Sequence, residues 1–441
     1  RLQRALEPLP DNVPVDRDFD PLRELLDRAH ERGLELHAFV IVGAAWNSLT
    51  PPADPNHVFN RHGLDPATGR PFEDRRNWLT RTLLGDGAAT SVGGYRFGNE
   101  FWIDLGHPEA ADYTLQVLMR LVTAYDLDGL HLDRIRYPEI GVSGQTPTTG
   151  SSVGYNPTSV KRFNQAAGRP TDAVPDPGDA AWSQWRRDQV TAFVRRLYLN
   201  VMAARPRVKV SAAVVTFGAG PADEGAWVRM EPYWRVYQDW RTWQEEGIVD
   251  LLMPMVYKTQ HSTTSRRAFS DWTRFAGAHQ FGRHAVIGLG AYLNSVEGTL
   301  LQTREALGPP PGASGARGVA FFSMAATNAP VLANPLSIPE GRDTPLRSFD
   351  DFAAALRTGR TSAGQWVEPS GGAPGGVFAE DAVVPPMPWK LTPTTGHLMG
   401  TLRGADGQPL DTATVIVGRE GEDPPAGEDP PVGRLSAATE T

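Results

Sequence analysis

The 441 residues include no cysteine. That excludes a disulfide framework, thiolate metal sites and a cysteine nucleophile, and leaves the compartment open. No run of about 18 apolar residues occurs, so no segment reads as a membrane-spanning helix. Arg1-Leu2-Gln3-Arg4 is not followed by the apolar stretch of a signal peptide, and the chain starts without Met. A basic excess is also missing. Against 51 acidic residues there are 43 Lys and Arg, a net charge of −8, which argues against a general nucleic-acid binder. Neither HExxH, GxSxG, a Walker loop nor a Ca²⁺ loop is present, and no glycine-rich phosphate loop follows a strand. His30 and His37 stand seven apart without metal-ligand spacing. Neither an obligatory metal nor a cofactor is expected.

What is present is a folded chain. Hydrophobic content of 40% with 21% charge suits a globular protein. The length allows one domain of roughly 250 to 300 residues plus a smaller unit. Twelve Trp and ten Tyr lean toward carbohydrate or interface work, although any single Trp is more often a core residue.

In chain order, an entry loop rich in Pro and Asp leads to a helix over 20–32. Its Leu22, Leu25, Leu26 and Ala29 are helically spaced, with Asp20 as N-cap and Gly33 as stop. An apolar strand over 34–42 precedes Trp46 and Asn47, and a polar loop fills 51–100. A short strand over 101–105 and a helix over 108–125 lead to a strand over 129–134. A loop of about forty residues, long enough to be functional, separates Pro138 from a helix over 182–204. Strands then follow over 208–217, 249–257, 284–292 and 318–324, with helices over 233–246, 264–277 and 296–307 between them. Nearly all-apolar strands alternating with helices mean βα units and a parallel sheet. The seven strands predict a (β/α)₈ TIM-type barrel whose first strand is missing from the sequence; a doubly wound open sheet is the alternative.

The barrel is expected over 1–340. A short helix and a Pro- and Gly-rich linker fill 341–390. Residues 391–441 read as part of a small β-sandwich, from two strands over 397–417 joined by an Asp-Gly turn. That tail resembles a carboxypeptidase regulatory-like module.

In such a barrel the chemistry sits at the C-terminal ends of the strands. The stretch DGLHLDRIRYP, 128–138, stands out: His131 and Asp133 share one face, and Pro138 stops the strand. Ionisable groups at a strand end are costly to bury without a purpose. Asp133 is the first candidate catalyst. Asp104 ranks as its partner carboxyl, above Glu100, Glu139 and Glu224. His37, Trp46, Asn47, Glu100, His131, Arg134, Arg136, Tyr137, Tyr257 and Tyr292 are expected to line a sugar cleft, with Tyr257 and Tyr292 at the ends of their strands. Each has a plainer reading: His37 as a satisfied core histidine, Arg134 or Arg136 as structural ion-pair partners. Asp128 and Asp250, at strand starts, read as structural.

These blocks resemble the glycosyl-hydrolase-like family 10 proteins. FDPLRELLDRAHERGLELHAF (19–39), WIDLGHPE (102–109) and DGLHLDRIRYP come first. WRRDQV (185–190), VKVSAAV (208–214), YQDWRTW (237–243), EGIVDLLMPMVY (246–257) and GVAFFS (318–323) continue in order. The resemblance spans about residues 15–330. It implies an exported bacterial (β/α)₈ glycosidase of the secreted, periplasmic or cell-envelope compartment. The best-understood members cleave peptidoglycan glycan strands freed of stem peptides. The absent first strand and the tail module depart from the family pattern.

DGLHLD also resembles the fourth-strand motif of family 18 chitinases, but Ile135 stands where their acid would be. Glycosidases normally need two carboxyls, about 5 Å apart for retention or about 6.5 to 9.5 Å for inversion; substrate assistance by an N-acetyl group removes that need. The neighbouring Arg134 and Arg136 favour a nucleophile, base or stabiliser role for Asp133 over an acid role. The competing class is a non-catalytic carbohydrate-binding barrel of the envelope. A phosphosugar or aldolase-type barrel is a weaker third, with only Lys258 near a strand end. The expected partner in the first two cases is a polysaccharide.

Overall fold

The computed structural model describes residues 19–83, 92–140, 152–308, 315–328, 348–365, 367, 375–394, 400 and 402–405. Its strands, in chain order, are β1 His37–Ile41, β2 Ala44–Trp46, β3 Arg96–Phe97, β4 Glu100–Trp102, β5 Gly129–Asp133, β6 Lys209–Val215, β7 Leu251–Val256, β8 His284–Gly290 and β9 Gly318–Phe322. Six of them form one parallel sheet in the order β1-β5-β6-β7-β8-β9; β2, β4 and β3 form a small antiparallel sheet.

The parallel sheet has one dry face. Leu130, Leu132, Val210, Ala212, Val214, Leu252, Val256, Ala285, Ile287 and Leu289 alternate along its strands and are fully buried. Helices Pro108–Ala124, Ala180–Ala204 and Thr263–Ala278 supply the matching surface: Val190, Val194, Leu197 and Val201, spaced by three and four, are also fully buried. Each large aliphatic side chain so buried contributes roughly 1.5 to 3 kcal/mol. The opposite face is more open. Phe39 and Ile41 of β1 and Phe322 of β9 are 56%, 43% and 53% exposed.

The sequence predicts eight barrel strands with one missing; the described residues contain six parallel strands. The expected barrel strand over 101–105 is corrected. β1 pairs directly with β5, His37 opposite Gly129, which leaves no slot between them. Its Phe101 serves a separate small core instead, packing with Phe59, Leu64, Leu79 and Tyr95 beside the antiparallel sheet.

Helix expectations hold with small shifts: Pro21–His30, Pro108–Ala124, Ala180–Ala204, Thr263–Ala278 and Val296–Leu307. The forty-residue loop contains a helix, Pro157–Ala166, capped by Asn156, whose side chain accepts from the Thr158 amide. The expected helix over 233–246 is broken into Glu231–Trp234 and Trp240–Glu245. Tyr237, at φ 55°, turns the chain between them. Past the parallel sheet, helix Phe349–Thr358 carries a Ser348–Asp351 capping box. Its Phe352 and Ala355 pack with Val296 and Leu300, so it lies against helix Val296–Leu307. The two strands expected over 397–417 fall almost wholly outside the described residues.

Candidate active site

Asp133 ends β5 on the open face. In a parallel pairing, residues in register share a face, so Phe39, His131 and Ser211 form one row and Ile41 and Asp133 the next. His131 Nδ1 lies 2.9 Å from Ser211 Oγ, and its ring stacks on Phe39 at 5.8 Å. Burial, with the charge of His37 adding, pushes the His131 imidazole down to about 4. It is therefore neutral at pH 7 and can donate from one nitrogen and accept at the other.

The turn after Asp133 is built around Arg134, which takes a left-handed backbone, φ 53°. That fold aims its amide at Asp133 Oδ1, 2.8 Å away, and fixes the carboxylate. Asp133 Oδ2 has no hydrogen-bond partner among the described residues. The Arg134 guanidinium reaches Glu100 of β4 at 2.5 and 2.6 Å. Trp102 Nε1 donates to the same Glu100 at 3.1 Å. Arg134 and Arg136 flank the Trp102 ring at 5.5 and 5.4 Å. Gly43 makes this approach possible: a Cβ there would lie 2.5 Å from the Trp102 ring and 2.9 Å from the Arg134 carbonyl. The small antiparallel sheet thus brings Glu100, Arg134, Arg136 and Trp102 beside Asp133.

Beyond the turn the chain is pinned from beneath. Gln238 Nε2 donates to the Ile135 carbonyl at 3.2 Å, and the Tyr137 amide to that of Val236 at 3.1 Å. Arg136 donates to Glu139 at 2.9 Å, and burial lowers its pKa. Tyr137, almost fully buried, donates to Asp104 Oδ1 at 3.1 Å. At the ends of β7, β8 and β9, Tyr257, Tyr292 and Phe322 form an aromatic group with centroids 5.6 to 6.1 Å apart. Burial first, then the charges of Tyr292 and Asp133, push the Tyr257 phenol well up, so it stays protonated.

The residues singled out from sequence divide accordingly. Glu100, His131, Asp133, Arg134 and Arg136 come together, and Tyr257 lies within electrostatic reach of Asp133, with Tyr292 beside it. Trp46 and Asn47 belong to the wall: the Trp46 indole donates to the Thr50 carbonyl at 2.9 Å and packs on His57 and Phe59, while Asn47 is exposed. Tyr137 lines nothing open.

Two expectations change. Asp104, expected as the partner carboxyl, follows β4 and stands on no strand beside β5, whose neighbours are β1 and β6. It is fully buried, and its Oδ1 accepts from the Gly106 amide, Ser159 and Tyr137 at 2.9 to 3.1 Å. Burial raises its pKa. Its surroundings make it a support for the 134–138 segment and keep it from reactants. His37 starts β1 over Gly129, at the N-terminal end of the sheet, with Nε2 3.3 Å from Glu35. It lies at the far end of the strands from Asp133. Glu224 is spent on ion pairs with His279 and Arg241. Sequence reading missed Phe39, Ser211, Trp102 and Phe322; alternation in β1 offered a signal for Phe39, and only the register of neighbouring strands reveals the others. Among the described residues no cluster of three or more His, Asp or Glu is placed to hold a metal.

Comparisons with known proteins complete the description. Residues 3–275 match the profile of the family described as Glycosyl hydrolase-like 10. The chain is similar to glycosyl hydrolase YngK of Bacillus subtilis (strain 168), 24% identical over 264 residues, which is 58% of this chain and 42% of that protein. It is also 24% identical over 252 residues to glycosyl hydrolase DigH of Escherichia coli (strain K12), covering 54% of this chain and 46% of the relative. The chain therefore spans less than half the length of these curated relatives. Among solved structures it is similar to the PgaB (BpsB) glycoside hydrolase domain from Bordetella bronchiseptica. The TM-score is 0.45 at 13% identity, over 73% of this chain and 77% of that one. With more than half of its residues matched by one family profile, the chain belongs to the glycosyl hydrolase-like 10 family.

Proposed function

We propose that this protein is a glycoside hydrolase acting on an amino-sugar glycan, with peptidoglycan glycan strands as the substrate, in the cell envelope or outside the cell. The observation that carries the reading is Asp133. It is a carboxylate at the C-terminal end of a parallel strand, fixed through Oδ1 by the Arg134 amide, with Oδ2 left for a reactant. Family membership and relatives named glycosyl hydrolases support the reaction class.

In this reading Asp133 is the nucleophile, base or charge stabiliser. His131 and Arg136 border it, and Tyr257, Tyr292 and Phe322 offer faces for sugar rings. Glu100 is the nearest second carboxyl in the bonded network, but both its oxygens are engaged by Arg134. A single uncommitted carboxylate suits a substrate whose own N-acetyl group assists. That favours acetamido sugars. The same shortage of a second free carboxyl supports the competing reading, a non-catalytic carbohydrate-binding protein.

The test is reducing-end release from peptide-free peptidoglycan strands by the full-length protein and its Asp133→Asn variant. Release by the wild type that disappears in the folded variant supports the hydrolase. Binding of the same strands without release, over long incubation, supports the binding protein. Full activity in Asp133→Asn rules out the assigned role.

A further inference from the structure

A cavity of about 470 Å³ opens at the N-terminal end of β8 and β9, at the other end of the strands from Asp133. Its lining includes Gln280 through His284 and Arg317, together with Pro385, Pro386, Pro388 and Trp389. The segment that carries Trp389 is fastened to the sheet. Trp389 Nε1 donates to Asp250 Oδ1 at 2.7 Å, and Lys390 Nζ lies 3.0 Å from Asp250 Oδ2 and donates to the Val208 carbonyl at 2.8 Å. The Arg283 guanidinium sits 4.7 Å from the Trp389 ring centre, and His284 meets that ring edge-on at 5.0 Å.

Among the described residues the lining includes Arg283 and Arg317 and not one Asp or Glu. The nearest acid is already used: Asp250 is fully buried, paired with Lys390 and bonded to Tyr198, Val210 and Trp389. Arg283 donates to the Gly247 carbonyl and also lies against the Tyr198 hydroxyl, so it is partly committed. Arg317 is exposed and has no side-chain acceptor among the described residues. Among the described residues, a chain of net charge −8 has thus placed Arg283 and Arg317 around one cavity whose lining holds no acid. Guanidiniums recognise carboxylates and phosphates through paired, charge-assisted N–H bonds.

We propose that this cavity binds a small oxyanion, a carboxylate or phosphate group, with Arg317 and Arg283 as its ligands. The prolines, Phe281 and Trp389 supply an apolar wall for whatever carries that group. The site is separate from the proposed sugar cleft, and nothing in it depends on hydrolase activity.

Calorimetric titration of the whole chain with sodium phosphate and with sodium glucuronate, at low ionic strength, tests it. One saturable site per chain is expected for at least one of the two, with Kd of millimolar order or tighter. Which of them binds identifies the source of the oxyanion. Arg317→Ala should weaken binding about tenfold, and Arg317→Glu should abolish it, both with an unchanged thermal melt because the side chain is exposed. No saturable heat from either anion up to about 20 mM, or equal affinity in the Arg317 variants, overturns the proposal.

Discussion

Replacing Asp250 by Asn tests how the stretch around Trp389 and Lys390 is held to the parallel sheet. Asp250 is fully buried at the start of β7. It accepts from the Val210 amide at 2.7 Å, Tyr198 at 3.1 Å and Trp389 at 2.7 Å, and it faces the Lys390 ammonium, 6% exposed, at 3.0 Å. The substitution keeps the shape and removes the charge. It leaves Lys390 buried without its counter-ion and turns an amide donor toward another donor. Breaking one side of a buried pair costs about 3 to 5 kcal/mol. Burial already lowers the Lys390 pKa, so loss of its proton limits the penalty to the lower end, about 3 kcal/mol. Lys390→Met should cost less, about 1 to 2 kcal/mol, because Asp250 keeps three donors. Urea unfolding followed by circular dichroism measures both, and the double variant should be milder than the sum. A loss below about 1 kcal/mol in Asp250→Asn, or equal losses in the two single variants, would refute the reasoning.

Three further outcomes follow from the site. Burial pushes His131 and His107 down to about 4 from 6.5, so the unfolded chain binds protons first as the pH falls. Stability should therefore drop between about pH 6.5 and 4, by about 2 kcal/mol per histidine at pH 5, and His131→Gln should flatten the urea-midpoint profile. Exposed His30, raised by its bond to Asp128, works in the opposite sense. Tyr137→Phe removes a donor from buried Asp104 and should cost about 1 to 3 kcal/mol in thermal or urea unfolding; an unchanged midpoint denies Asp104 its supporting role. Arg134→Gly relieves a left-handed backbone worth about 1 kcal/mol and loses a partly exposed pair with Glu100 worth about as much. Net stability should hardly move while glycan turnover falls, which activity and melting measured together will show.

The elements that could be read from sequence were those with a long apolar period. Pro108–Ala124, Ala180–Ala204 and Val296–Leu307 carry caps or stripes that local chemistry dictates. The place of Asp133 at a strand end was legible because charged residues close an apolar run. The strand over 101–105 was misassigned because a short apolar run looks the same in a barrel and in a small antiparallel wall. The placements of Asp104 and His37 differ from expectation for a related reason. Sequence places a residue along its strand but not its depth or its end of the sheet; those depend on register and on which helix covers it. The Gln238 anchor and the break at Tyr237 were hidden because a helical period continues through them.

A crystal structure of Asp133→Asn soaked with an N-acetylated oligosaccharide addresses the central claim most directly. A sugar ring should lie across the open face beside Tyr257 and Phe322. Either the glycosidic oxygen or the anomeric carbon of the scissile bond should come within about 3.5 Å of residue 133. An oligosaccharide bound elsewhere, with residue 133 touching only protein, would contradict it.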